Sequence, residues 1–300
     1  MFMDTAQTLL TIAALIPAII LGVYIFIKDR AEKEPVWLLL ILLVFGAIIS
    51  LPVVYIGGFF EALINGFFGL FASTTADGQL VLGFPFYEIY LAAKYFIGVA
   101  LVEEGLKWIV MFFFTHKSKH FNSLFDGIVY AVFVSLGFAA FENVLYVWSG
   151  GWTVALLRAL TSVPAHMFFG VAMGWFYTWW NVERKATEKE KALMQKHRGK
   201  GIFGKRAGFI LNGSLAASLF VPITMHAFYD IFCSYGTITA MILFGILVLG
   251  MYFYCFKIIR DLSKVDALHK NYVVGLIIKK HPACILDKDV VDDLNEMLAN

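Results

Sequence analysis

Charge and cysteine are both scarce in this chain. Asp, Glu, Lys and Arg make up 15% of the 300 residues, and the formal net charge is only +2. So slight a balance supplies no basic stripe from which to argue a nucleic-acid partner. The three cysteines, Cys233, Cys255 and Cys284, lack the spacing of a disulfide framework or a thiolate metal site. They read as small hydrophobes in or near a membrane. No internal repeat of the transporter kind is visible. No basic residue precedes the first apolar stretch, and its core is too long for a signal peptide, so it reads as a mature helix.

What the chain has instead is apolar length. Sixty per cent of it is hydrophobic, against roughly 45–50% in soluble domains, and it carries 30 Phe and 7 Trp. Apolar stretches of about 18 or more residues recur, and each can cross a bilayer as a helix. The expected fold is therefore all-α: a polytopic transmembrane helical bundle of about seven spans. They are placed near 8–27, 36–58, 88–114, 125–148, 153–180, 209–233 and 237–259. Segment 59–71, interrupted by Glu61 and Asn65, either extends the second span or lies in the interface.

Lys and Arg number 3 in 28–35, 2 in 115–124, 9 in 181–208 and 7 from Lys257 onward, while loops 72–86, 149–152 and 234–236 contain none. The positive-inside rule then predicts an external N-terminus and a cytoplasmic C-terminus. The Lys- and Glu-rich stretch 181–208 reads as a solvated helix or linker near anionic headgroups. The tail 260–300 alternates apolar and charged residues, as a small cytoplasmic cap would.

Against this background LVEEGLKWIVMFFF (101–114) is anomalous, because Glu103, Glu104 and Lys107 interrupt an apolar run. Counting inward at about 1.5 Å per residue puts Glu103 about 18 Å, Glu142 about 25 Å, His166 about 21 Å and His226 about 25 Å from the cytoplasmic ends of their spans. Four consecutive spans thus bring ionisable groups to the outer half of a core about 30 Å thick, where they can share one wet cavity. Glu103 and Lys107 are spaced i,i+4, and Glu104 and Lys107 i,i+3. Glu104 lies about 100° around the helix from Glu103, so the two carboxylates are expected to point apart, one at the site and the other pairing or orienting. His226 and Asp230, also i,i+4, let a carboxylate fix an imidazole tautomer. Pro164 is expected to kink the backbone or free carbonyls beside His166.

Carboxylates and imidazoles around such a pocket admit two hydrolytic chemistries. One uses a divalent metal, most naturally zinc, held by Glu103, Glu142, His166 and His226. The other is metal-free, with a glutamate as base on water. The donor set favours metal. Bland alternatives exist for each group: a structural Glu–Lys pair, a polar cap at Glu142–Asn143, a satisfied core histidine. Asp126 reads as a helix cap, Arg158 as snorkelling outward or pairing with Glu142 or Asp230, and Lys94 as snorkelling. Gly98, Gly105, Gly137, Gly170 and Gly174 would let helices approach closely.

The same residues carry a resemblance. EEGLK (103–107) resembles the EExxK motif of the PrsW intramembrane proteases, and FAAFE (138–142), leading into Asn143, resembles their FxxxE motif. RALTSVPAHMFFG and HAFYD (226–230) are similar to that family's remaining signatures, all in order across about 85–235. The resemblance, which extends to the CAAX prenyl endopeptidases, implies an intramembrane endopeptidase with metalloenzyme chemistry in a bacterial plasma membrane. It implies catalytic roles for Glu103, Glu104, Glu142, His166 and His226, with Lys107, Asn143 and Asp230 supporting. It also implies a membrane-anchored protein substrate, of anti-sigma-factor type, cut near the extracytoplasmic face. The chain then divides into N-terminal transmembrane helices (1–84), a catalytic transmembrane core (85–235), and a last helix with cytoplasmic tail (236–300). A proton- or ion-coupled transporter is the alternative reading, since it too buries Glu, Lys, His and Asp.

Overall fold

Several helices in this chain begin or turn at a proline, a glycine or a turn-closing carboxylate, although Pro17 and Pro222 lie inside helices. A computed structural model describes residues 5–30, 33–74, 80–200, 203, 213–265 and 269–299. Helix α1 spans Thr5–Lys28. Pro35 then ends an extended turn and starts α2 (Val36–Ile48), which continues through Ile49 into α3 (Ser50–Gly69) with helical backbone throughout. Segment 59–71 therefore extends the second span as far as Gly69. Two short strands, β1 (Ser73–Thr74) and β2 (Leu80–Val81), pair antiparallel after it; residues 75–79 of that loop lie outside the described residues.

The stretch expected to span 88–114 is a composite rod: α4 (Phe86–Ala93), a π-helical turn (Lys94–Ala100) and α5 (Leu101–Thr115). Helix α6 (Asp126–Leu160) starts where the Asp126 carboxylate accepts the backbone N–H of Asn122 and Ser123, at 2.8 and 2.7 Å. Asp126 thus ties down the preceding loop rather than capping the helix itself. Helix α7 (Ser162–Lys196) follows, then α8 (Gly213–Ser234), α9 (Ile238–Val265), α10 (His269–Lys280) and α11 (Lys288–Ala299).

Among the described residues five helical stretches are long and apolar enough to cross a membrane: Thr5–Lys28, Val36–Gly69, Asp126–Lys196, Gly213–Ser234 and Ile238–Lys264. The 71-residue stretch is a hairpin of α6 and α7, since Gly127 lies against Gly174 and Thr178 while Gly170 lies against Ser135 and Ala131. This pair forms the centre of the bundle, with α1 and α2 flanking α6. Lipid leaves little hydrophobic force between helices, so close van der Waals approach must hold them. A Cβ on Gly137 would collide with the Leu43 carbonyl, and one on Gly46 with the Val134 carbonyl. Gly105, by contrast, faces open space.

Two backbone features differ from expectation. Gly151 has φ 67° and ψ −158°, a left-handed conformation that a side chain would resist. It folds residues 152–160 back along α6, where Ala155 packs on Val147 and Ala14. The span expected from 153 therefore opens with a return arm, and α7 proper begins after Thr161. Pro164 sits in the first turn of α7, where its missing N–H has no intrahelical partner to lose, and it introduces no kink.

At the other end α7 continues as one helix to Lys196, and the tail docks on it. Glu190 holds Lys280 at 3.0 Å and His281 at 2.8 Å; Asp293 holds Lys196 at 2.6 Å and His197 at 2.8 Å. Lys200 bridges Asp287 and Asp289 at 2.9 and 2.7 Å. Cys284, Val290 and Leu294 are buried beneath these pairs. Residues 201–202 and 204–212 of the basic stretch lie outside the described residues.

Candidate active site

The π turn ahead of α5 carries its chain-end bond from the Leu101 N–H to the Phe96 carbonyl, a wider closure than an α-turn. Immediately after it, α5 presents Glu103, Glu104 and Lys107, all buried. The Lys107 ammonium donates to Glu104 Oε1 at 2.8 Å, lies 3.4 Å from Glu103 Oε2 and 3.1 Å from His166 Nδ1. It also rests 3.9 Å above the Phe138 ring. The carboxylates expected to diverge therefore converge on one cation. Each glutamate has enough side-chain torsions to absorb 100° of helical phase when an ammonium lies between the two.

Helix α8 supplies His226, whose Nδ1 is 2.9 Å from Glu104 Oε1 and 4.0 Å from Glu103 Oε2, while its Nε2 is 3.5 Å from Asp230 Oδ2. Helix α7 supplies His166, with Nε2 3.0 Å from Glu142 Oε2. The two imidazoles share one orientation: each turns Nδ1 toward the α5 charges and Nε2 toward a carboxylate behind the ring. That is how a carboxylate selects the tautomer of a ligating histidine. Phe169 stacks on His226 at 4.7 Å, and Phe138 meets His166 edge-on at 5.5 Å.

Glu103, Glu104, His166 and His226 each offer one ligand atom, and these atoms lie within 4.8 Å of one another. Glu104 Oε2, fully buried, finds no hydrogen-bond partner among the described residues. Two carboxylates and two imidazoles are a donor set suited to zinc, and the orphaned oxygen is a polar atom that a cation would satisfy. The residues present fit a divalent metal. Lys107 already serves three of the same groups, so one positive charge is held beside the donors.

Glu142 stands one layer out, its Oε2 shared between His166 and Arg158 Nη2, the latter at 2.7 Å. Asn143 is buried beside this pair: it donates to the Ala14 carbonyl at 2.8 Å and accepts from Arg158 Nε at 3.0 Å. Lys94, expected to snorkel, pairs with Glu61 at 2.7 Å. Sequence reasoning quoted Phe138 only as the first residue of the FxxxE-like motif, with no role, and assigned none to Phe169. Phe138 had a signal, since it lies i,i+4 from Glu142 and so shares its face.

A model of the PrsW family, described as intramembrane metalloproteases, matches residues 34–258, well beyond the stretch over which the motifs are recognisable. Curated relatives named Protease PrsW include one from Geobacillus kaustophilus, 31% identical over 218 residues, covering 73% of this chain and 76% of the relative. One from Oceanobacillus iheyensis is 34% identical over 164 residues (55% and 66%), and one from Bacillus subtilis 32% over 218 residues (73% and 79%). No solved structure matches the chain. Nothing in these comparisons supports the transporter alternative. With three helices delivering glutamate and histidine to one buried cluster, a fourth backing it through Glu142, and the family match covering most of its length, the chain belongs to the PrsW family of intramembrane metalloproteases.

Proposed function

We propose that this protease cuts a membrane-anchored protein in a bacterial plasma membrane, near the extracytoplasmic face, with Glu103 as the base and with Glu104, His166 and His226 holding zinc. The observation that carries the reading is the four-donor cluster within 4.8 Å that contains an orphaned buried oxygen. Glu104 is the better ligand because its side chain is wholly buried and already bonded to His226, whereas the Glu103 side chain keeps 9% exposure and can meet water. Glu142, shared between Arg158 and the outer nitrogen of His166, orients that ring rather than joining the donors. The basic loops, by the positive-inside rule, support a cytoplasmic C-terminus and hence a site in the outer half.

When bound, a divalent metal supplies Lewis acidity at the peptide carbonyl and makes water more acidic. Glu103 takes the proton as the water oxygen bonds to the carbonyl carbon. It returns a proton to the amine as the C–N bond breaks. Lys107 adds fixed positive charge where the oxyanion develops. A single-span protein of anti-sigma-factor type fits the depth of the site as substrate.

The test is a purified chain assayed on a single-span peptide, with bound metal measured in parallel. Glu103→Gln should keep zinc and lose cleavage, while Glu104→Gln, His166→Ala and His226→Ala should lose both. Wild-type cutting by all four variants would overturn the site. Full activity with almost no metal, indifferent to chelators, would overturn the zinc assignment alone.

A further inference from the structure

Arg158 reaches the site by a route that helical geometry alone would forbid. It lies sixteen residues after Glu142, a separation of about 24 Å along a straight helix. The left-handed turn at Gly151 reverses the chain instead, and the guanidinium closes on Glu142 at 2.7 Å. It is pinned on three sides. Nη2 donates to Glu142 Oε2, Nε donates 3.0 Å to Asn143 Oδ1, and the Tyr146 ring lies 4.0 Å from the guanidinium carbon. Asn143 is itself fixed, since its amide donates to the Ala14 carbonyl of α1. A planar fork held this way is hard for any other residue to reproduce.

The Glu142 oxygen that Arg158 grips is the one facing His166 Nε2 at 3.0 Å. The arrangement therefore runs in a line: Arg158, Glu142, His166 and then the α5 charges, which meet Nδ1 of the same ring. A carboxylate without the guanidinium could turn away from the ring, leaving the imidazole free to rotate or to change tautomer. We infer that Arg158 is a positioning residue for proteolysis, holding Glu142 so that His166 presents Nδ1 to the donor cluster. The inference rests on the proposed reading of that cluster.

The experiment uses the full chain in detergent, with Arg158→Gln, Arg158→Lys, Glu142→Gln and the Arg158→Gln/Glu142→Gln double variant. Three readouts apply: kcat and KM on a single-span peptide, equilibrium affinity for zinc, and the 15N signals of the His166 ring. Arg158→Gln should lower kcat and zinc affinity by about 10–100-fold, the usual cost of losing an orienting partner, with KM little changed. Its His166 ring should lose the single tautomer of the wild type. Arg158→Lys should fall between, because one ammonium cannot serve Glu142 and Asn143 in the same fork. In the Glu142→Gln background Arg158→Gln should add almost nothing, since the two residues act in series. Wild-type kcat, zinc affinity and ring signals in Arg158→Gln overturn the inference. So does an equal loss in both backgrounds. Should Arg158→Gln not fold, Arg158→Lys with and without Glu142→Gln replaces it, and an undiminished effect in the second background is again fatal. Glu103→Gln is the control: if it cuts normally, the reading of the cluster has failed, not the role of Arg158.

Discussion

Replacing Lys107 with methionine keeps the length of the side chain and removes the ammonium that bridges both α5 carboxylates. Its ammonium is fully buried, 2.8 Å from Glu104 and 3.4 Å from Glu103. At an effective dielectric near 20 those separations correspond to attractions of roughly 6 and 5 kcal/mol. Desolvation of three ions, at several kcal/mol each, offsets most of that sum. Deleting the cation leaves the desolvation of the carboxylates in place with only His226 to offset it, so the loss should be about 3–5 kcal/mol. Reversible unfolding in mixed micelles containing a chelator measures it. Adding Glu104→Gln to Lys107→Met should recover part of the loss, because it removes one of the two stranded charges. Zinc should recover part of it as well, since the atoms that hold the ammonium are among those open to a metal. A Lys107→Met protein within about 1 kcal/mol of wild type under chelation would refute the reasoning, because a burial this complete does not allow an unpaired carboxylate to go unnoticed.

The remaining predictions concern packing and the tail. Gly137→Ala should destabilise by about 1–3 kcal/mol, because its Cβ would press on the Leu43 carbonyl and backbones must part. Gly245→Ala, where nothing lies within 4 Å, is the matched control and should be neutral or slightly stabilising in the same unfolding assay. Phe138→Leu should cost about 0.5–2 kcal/mol through loss of the ring beneath Lys107, read in the same micelles. The hydrogen bond from Lys200 holds the Asp287 carboxyl below its usual range, and that from Lys196 does the same for Asp293. Carboxyls lowered on docking stabilise it above their ordinary value near about 3.9 and lose that contribution as pH falls through the lowered values. Hydrogen exchange in α11 should therefore rise below about pH 4, and unchanged protection at about pH 3 would count against the docking described.

How much of this was legible in the sequence depends on which coordinate is asked for. The rise of a helix is fixed, so counting residues put Glu103, Glu142, His166 and His226 at comparable depth, and they do join one connected network. Direction around the helix axis was less readable. Backbone phase separates Glu103 from Glu104, yet both carboxylates swing to Lys107, because flexible side chains follow charge rather than phase. Contacts across long stretches of chain were not readable at all. Asn143 reads as a supporting residue from its place beside Glu142, yet the bond from its amide to Ala14, 129 residues away in sequence, is not visible there. The tail's alternating charges were visible, while their partners on α7, about 90 residues earlier, were not.

Gly151 shows why the last gap matters for function. Two glycines in a loop free of charge read as an ordinary connection between spans. Periodicity carries no record of a positive φ, and only that dihedral turns Arg158 back toward Glu142. Arg158, which reads either as snorkelling outward or as pairing with Glu142 or Asp230, is thereby brought against Glu142, the carboxylate behind His166. Where a chain reverses on a glycine, then, sequence distance from a motif is a poor guide to distance from its chemistry. The residues shortly after such a turn belong among the candidates for the site.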